Sequence, residues 1–128
     1  MGAAQKKNKS GSIFRVILLG EFGVGKTNII TRFVENTFKN YTGFFGREFF
    51  IKTMTFNKAQ GKTIKYQIWD TACQERYRPL TKSFYTNTGV AILVYDITKK
   101  ETFDKIKNYW YNEIKENIPR DISKIKYI

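Results

Sequence analysis

The sequence predicts an α/β domain on a mostly parallel sheet, and three observations carry that expectation. Segments with strand patterning alternate with segments of helical periodicity along most of the chain. One short apolar run, Val16-Ile17-Leu18-Leu19, passes through a glycine-studded turn directly into a helix-like stretch. A second run, "GVAILVYDIT" (89–98), is almost continuously apolar, the mark of a strand covered on both faces.

Taken in order, residues 1–12 read as a flexible basic tail and "IFRVILLG" (13–20) as the first strand. The helix after the glycine turn is expected from Lys26 to Glu35, with Ile29, Ile30, Phe33 and Val34 on one face. A loop, "NTFKNYTGFFG", leads to a strand at "REFFIKTMTF" (47–56). The turn "NKAQGK" then returns the chain through "TIKYQIW" (63–69), where Ile64, Tyr66 and Ile68 alternate onto one face. These two segments should form a hairpin, the only antiparallel pair. After the strand at 89–98, "TKKE" (98–101) has the form of a capping box. Phe103, Ile106, Trp110 and Ile114 continue it as a helical stripe to about Asn117. The closing "SKIKYI" reads as the start of a fifth strand. The expected sheet order is 2-3-1-4 with a stub of strand 5, and helices on both faces.

Composition narrows the function classes. A chain of 128 residues accommodates one domain. The single Cys73 can close no internal disulfide, which points to a reducing, intracellular and cytoplasmic setting. No apolar stretch approaches the ~20 residues of a membrane span. The beginning, "MGAAQKKNKS", lacks the apolar centre of a signal peptide, and Lys6 stands where an acylation signal on Gly2 wants Ser or Thr. The net charge of +12, from 23 basic and 11 acidic residues, raises nucleic acid or an anionic membrane as a partner. The basic residues are scattered, however, with no stripe interleaved with aromatics, so no nucleic-acid partner is expected. Abundant Lys, Ile, Asn, Tyr and Phe also fit a simple compositional bias.

The chemistry is concentrated in "GEFGVGKT" (20–27), which has the form G-x-x-x-x-G-K-[ST]. Glycines allow backbone N–H groups to turn inward around phosphate oxygens, and the following helix presents its positive end. Lys26 can reach the outer phosphates and the Thr27 hydroxyl can ligate Mg²⁺. With glycine near 7% of residues, chance yields this pattern about once in 30,000 windows, so a ligand-free glycine turn is the weaker explanation. Phosphate loops serve kinases, ATPases, motors and GTPases alike, and "IWDTACQE" (68–75) supplies the second feature. Asp70, closing a strand, can hold Mg²⁺ from the far side.

With these stretches together, residues 13–128 resemble the Ras superfamily of small GTPases, closest to the Rab branch. "KYQIWDTACQERYRPL" is similar to a Rab stretch around D-T-A-G-Q-E, "LVYDIT" matches a Rab signature, and "FGREFFIKT" resembles I-G-V-D-F-K-I-K-T. The resemblance implies a P-loop small-GTPase fold, partial at its C-terminal side, with GTP or GDP as ligand and Mg²⁺ as cofactor. It implies that Phe22, Gly23, Val24, Gly25, Lys26, Thr27 and Asn28 wrap the phosphates, that Thr27 and Asp70 hold the metal, and that Phe38 packs on guanine. Gln74 would orient the attacking water, and Phe49, Trp69 and Phe84 would form an aromatic surface for effectors, with ordinary hairpin and helix packing as the competing reading for these three. Effectors, exchange factors and GTPase-activating proteins are the implied partners, and peripheral association with endomembranes in vesicle traffic the implied setting.

Departures from the pattern qualify that expectation. "YTGFFG" puts Phe44 where the family carries a metal-ligating Thr, and Thr42 lies two residues early. Phenylalanine has no oxygen for a hard cation. "DTAC" puts Cys73 in place of a glycine whose N–H meets the γ-phosphate. With no histidine in the chain, Cys73 lacks the usual activating base for a nucleophile. The base-reading motifs Asn-Lys-x-Asp and Ser-Ala-Lys do not occur, and the sequence stops within the expected fifth strand. Three readings follow: a Rab-like GTPase with impaired hydrolysis, a nucleotide-binding pseudo-GTPase or interaction module, and a fragment without function of its own.

Overall fold

A computed structural model of the chain describes residues 12–38, 49–71, 82–118 and 126–127. The segments form a five-stranded sheet in the order β2-β3-β1-β4-β5. The strands are β1 (Ser12–Leu19), β2 (Phe49–Asn57), β3 (Lys62–Asp70), β4 (Val90–Leu93) and β5 (Lys126–Tyr127). β1 runs parallel to both neighbours, with Val16 opposite Ile68 of β3 and Leu18 opposite Ile92 of β4. β2 and β3 form the antiparallel hairpin, and β4 and β5 pair in parallel. This is the expected order, and the fold is a mostly parallel α/β sheet.

Helices cover both faces. Helix α1 (Lys26–Glu35) ends at Asn36, whose left-handed φ of 55° lets its N–H reach the Arg32 carbonyl. Asparagine tolerates that conformation at a helix end. With Val16, Leu18, Phe50, Ile68 and Val94, Ile30 of α1 builds one half of the core. The alternation of β1 sends Ile17 and Leu19 to the other face, where Ala91, Leu93, Ile106, Trp110 and Ile114 enclose them. Burying each large aliphatic side chain is worth about 1.5–3 kcal/mol, so this two-sided burial of β1 anchors everything attached to its end.

The expected apolar face of α1 is turned to the sheet: Ile30 is buried and Val34 packs beside it, while Ile29 and Phe33, 36% and 45% exposed, border an apolar cleft of about 300 Å³. Three local expectations are corrected. β4 ends at Leu93, earlier than the apolar run suggests, because Val94 leaves the ladder after its N–H bonds Leu19 O. The capping box does not form. The Thr98 hydroxyl donates to Asp96 Oδ1 at 2.6 Å, and helix α2 (Lys100–Lys105) starts at Lys99 without a side-chain cap. Asp96 captures Thr98 in a local turn that competes with capping. Finally, the last helix is not uniform. Between α2 and α3 (Tyr111–Asn117) lies a π-helical segment, Ile106–Trp110, and Phe103 stays 37% exposed beside Tyr95.

Candidate phosphate and metal site

β1 delivers the chain to Gly20, where the turn begins. A Cβ there would lie 2.1 Å from the Val94 carbonyl oxygen, so glycine is what lets the chain leave the sheet at this point. The turn closes at Gly25, the N-cap of α1, with a φ of 104° and no side-chain cap. The first-turn N–H groups of α1 therefore receive nothing from their cap residue, and the helix dipole adds positive potential there. A Cβ at Gly23 or Gly25 would meet nothing within 4 Å, so open space adjoins the turn at both positions. A glycine turn that opens onto a helix N-terminus is the kind of backbone arrangement that suits an anion.

Lys26 is 3% exposed and folds back across the turn. Its Nζ donates to the carbonyls of Gly20 at 2.9 Å and Glu21 at 2.8 Å. Those two carbonyl contacts hold the Lys26 Nζ against the glycine turn. Beside it, Thr27 Oγ1 donates to Asp70 Oδ2 at 2.6 Å. Asp70 closes β3 and is 5% exposed. The next residue, Thr71, is fully buried and donates from Oγ1 to Leu18 O at 2.9 Å, which ties the end of β3 to β1. A hydroxyl and a carboxylate brought together on rigid elements are hard oxygen donors of the type Mg²⁺ takes. These residues fit the phosphate and metal groups that the motif implies.

The remaining site residues are placed as follows. Phe22 is half-exposed at the turn, and Val24 packs against the α1-side core. Asn28 Oδ1 is buried without a hydrogen-bond partner among the described residues. Phe38 is 69% exposed, just beyond the end of α1. Phe49, Trp69 and Phe84 do come together. Phe49 lies 5.0 Å from Trp69 by ring centroids, and Trp69 lies 6.0 Å edge-on to Phe84. Trp69 and Phe84 also lean on the core while Phe49 is 40% exposed, so the cluster is part surface and part packing. Gln74, Phe44, Thr42 and Cys73 lie outside the described residues.

One member of this cluster escaped the sequence reading. The guanidinium of Arg15, on β1, sits 4.2 Å from the Trp69 ring centroid and 5.6 Å from that of Phe84. Its Nη2 donates to the Phe84 carbonyl, and partial burial lowers its pKa. The available signal was a lone cation within an apolar strand, which needs a π face or a carbonyl to be tolerated.

With this geometry in place, comparison with known proteins identifies the class. A model of the Ras family matches residues 15–126. The chain belongs to the Ras family of small GTPases, in its Rab branch. Among its relatives is "Ras-related protein RABA2d" of Arabidopsis thaliana, 44% identical over 86% of this chain and 49% of that protein. "Ras-related protein Rab2BV" of Beta vulgaris is 43% identical over 86% of this chain and 50% of that protein. "Ras-related protein Rab-11A" of Dictyostelium discoideum is 42% identical over the same shares. The chain spans about half the length of the curated relatives it matches.

Proposed function

We propose that this chain binds GTP and GDP with Mg²⁺ and hydrolyses GTP slowly, as part of a Rab-type switch in vesicle traffic. The observation that carries the reading is Lys26, buried across an open glycine turn and followed in sequence by the Thr27–Asp70 pair. The turn from Phe22 to Asn28 would hold the phosphates. Lys26 would neutralise the β- and γ-phosphates, and Thr27 and Asp70 would hold Mg²⁺. Gln74 would orient water, and Phe38 would pack against the base. The aromatic cluster of Phe49, Trp69 and Phe84 would receive an effector, because grouped, partly exposed rings have the composition of binding hot spots. Exchange factors and GTPase-activating proteins are the further partners of such a switch, acting at endomembranes. Among the described residues no helix is long and apolar enough to cross a membrane.

Calorimetric titration of the chain with GDP and Mg²⁺ tests this. Lys26→Ala should abolish binding, since it removes the cation that lies across the turn. Equal affinity in variant and parent would refute the site. Discrimination between GTP and ATP should be weak in this chain, because neither base-reading motif occurs in it.

A further inference from the structure

Glu21 carries a carboxylate into a turn built to bind anions. Left loose, it would repel phosphate oxygens and compete with them for the Lys26 ammonium. The structure ties it elsewhere. Trp110 Nε1 donates to Glu21 Oε1 at 3.0 Å, across 89 residues of sequence. Trp110 is 2% exposed, within the core beneath β1, so its indole has little freedom to turn. The same Glu21 offers its main-chain carbonyl to Lys26 Nζ at 2.8 Å. One residue thus faces two ways, with its neutral oxygen toward the cation and its charged oxygen toward the helix.

Trp110 is the last residue of the π-helical segment. Residues Ile106–Trp110 depart from the helical pattern of α2 and α3 on either side. A π turn takes one extra residue, and one residue is ~100° of rotation in an α-helix. Ile106, Trp110 and Ile114 all stay in the core, and the indole N–H at the end of this segment reaches the turn. Tyr109 braces the indole edge-on, 4.9 Å between centroids. No Pro or Gly interrupts the segment.

We propose that Trp110 is a positioning residue for the phosphate site: its indole N–H holds the Glu21 carboxylate on the helix, so that it does not compete with phosphate at the turn. The proposal rests on the nucleotide reading above, and the test separates the two. GDP affinity is measured by calorimetry with Mg²⁺ present. The parent binds and Lys26→Ala does not. If the parent binds no GDP, or Lys26→Ala binds as well as the parent, the nucleotide reading itself fails and takes this proposal with it.

Given parent binding, Trp110→Phe keeps an apolar ring but loses the N–H, and should weaken GDP binding about tenfold, the scale of one hydrogen bond to a charged group. Adding Glu21→Gln to that variant should restore affinity, because the amide has no charge to release. A purely structural tryptophan would give no such rescue, and an unrescued loss would overturn the proposal, as would parent affinity in Trp110→Phe. Where Trp110→Phe does not fold, Glu21→Leu decides. With no carboxylate left to hold, it should bind GDP as the parent does, while the Trp110 indole N–H resonance shifts on loss of its acceptor. Weakened binding in Glu21→Leu, or an unmoved resonance, would overturn the proposal.

Discussion

The Thr27 hydroxyl and the Asp70 carboxylate meet at 2.6 Å, joining the first turn of α1 to the last residue of β3. The contact crosses from the helix to the sheet at the end of β1, where the glycine turn also starts. It therefore links the stability of the site to its chemistry. Thr27→Val keeps the shape of the side chain and removes the donor. It should cost about 1–2 kcal/mol in urea unfolding, the range for a hydrogen bond to a charged group, and should remove the Mg²⁺ dependence of GDP affinity. Thr27→Ser should preserve both. Unchanged Mg²⁺ dependence in Thr27→Val would exclude Thr27 as a metal ligand.

Gly20 is set by a neighbour rather than by a ligand. Its missing Cβ makes room for the Val94 carbonyl, 2.1 Å from where that atom would sit. Backbone on one side and the end of β1 on the other leave little to relax. Gly20→Ala should destabilise the chain by about 1–3 kcal/mol, the usual cost of overpacking, and denaturant midpoints will show it. The turn's other glycines, Gly23 and Gly25, face open space, and Gly25→Ala should act through backbone strain at φ 104° and through lost phosphate affinity instead.

Much of this architecture is legible in the sequence, for physical reasons. The bounds of α1 follow from a glycine before it, an asparagine after it and unbroken helical periodicity between. The sheet order follows from one hairpin and two apolar runs. What was not legible depends on contacts between distant residues. The π segment leaves a stripe of Ile106, Trp110 and Ile114 that reads as ordinary helix, because an extra residue changes rotation without changing composition. Arg15 is stabilised by Trp69 and Phe84, 54 and 69 positions further along, and Glu21 by Trp110. Thr98 misled as a cap because its side chain turns back to Asp96 and the helix N-cap falls one residue later, at Lys99.

Tyr85 makes alkaline stability testable. It is 1% exposed, its hydroxyl donates to Glu113 Oε2 at 3.3 Å, and burial, followed by the Glu113 charge, raises its pKa far above the usual tyrosine value. A folded-state pKa above the unfolded one means that the unfolded chain ionises first. The contribution is complete below pH ~10, the unfolded value, and is lost as pH rises beyond it. Thermal melts of the parent should therefore fall steeply above pH ~10. Tyr85→Phe should fall less steeply over that range, with a small loss at neutral pH from the missing hydrogen bond. Parallel curves for the two would show that Tyr85 does not control this limb.

Catalysis is where the phosphate site and the rest of the sequence pull apart. Thr27 and Asp70 supply metal-type oxygens, and Gln74 has the right chemistry to orient a water. Phosphoryl transfer depends on such positioning and on charge stabilisation, with no covalent nucleophile required. Phe44, in place of the oxygen-bearing residue that the Rab pattern carries there, offers nothing to Mg²⁺. A less fully clamped metal leaves the γ-phosphate less well placed, and small losses of placement cost roughly a hundredfold in rate. Intrinsic GTP hydrolysis by this chain should therefore be very slow in single-turnover assays, and slower still in Gln74→Leu. Phe44→Thr combined with Cys73→Gly should raise the rate and introduce a Mg²⁺-dependent preference for GTP in effector binding. Fast hydrolysis in the parent, indifferent to Gln74→Leu, would remove Gln74 from the reaction and show that Phe44 limits nothing.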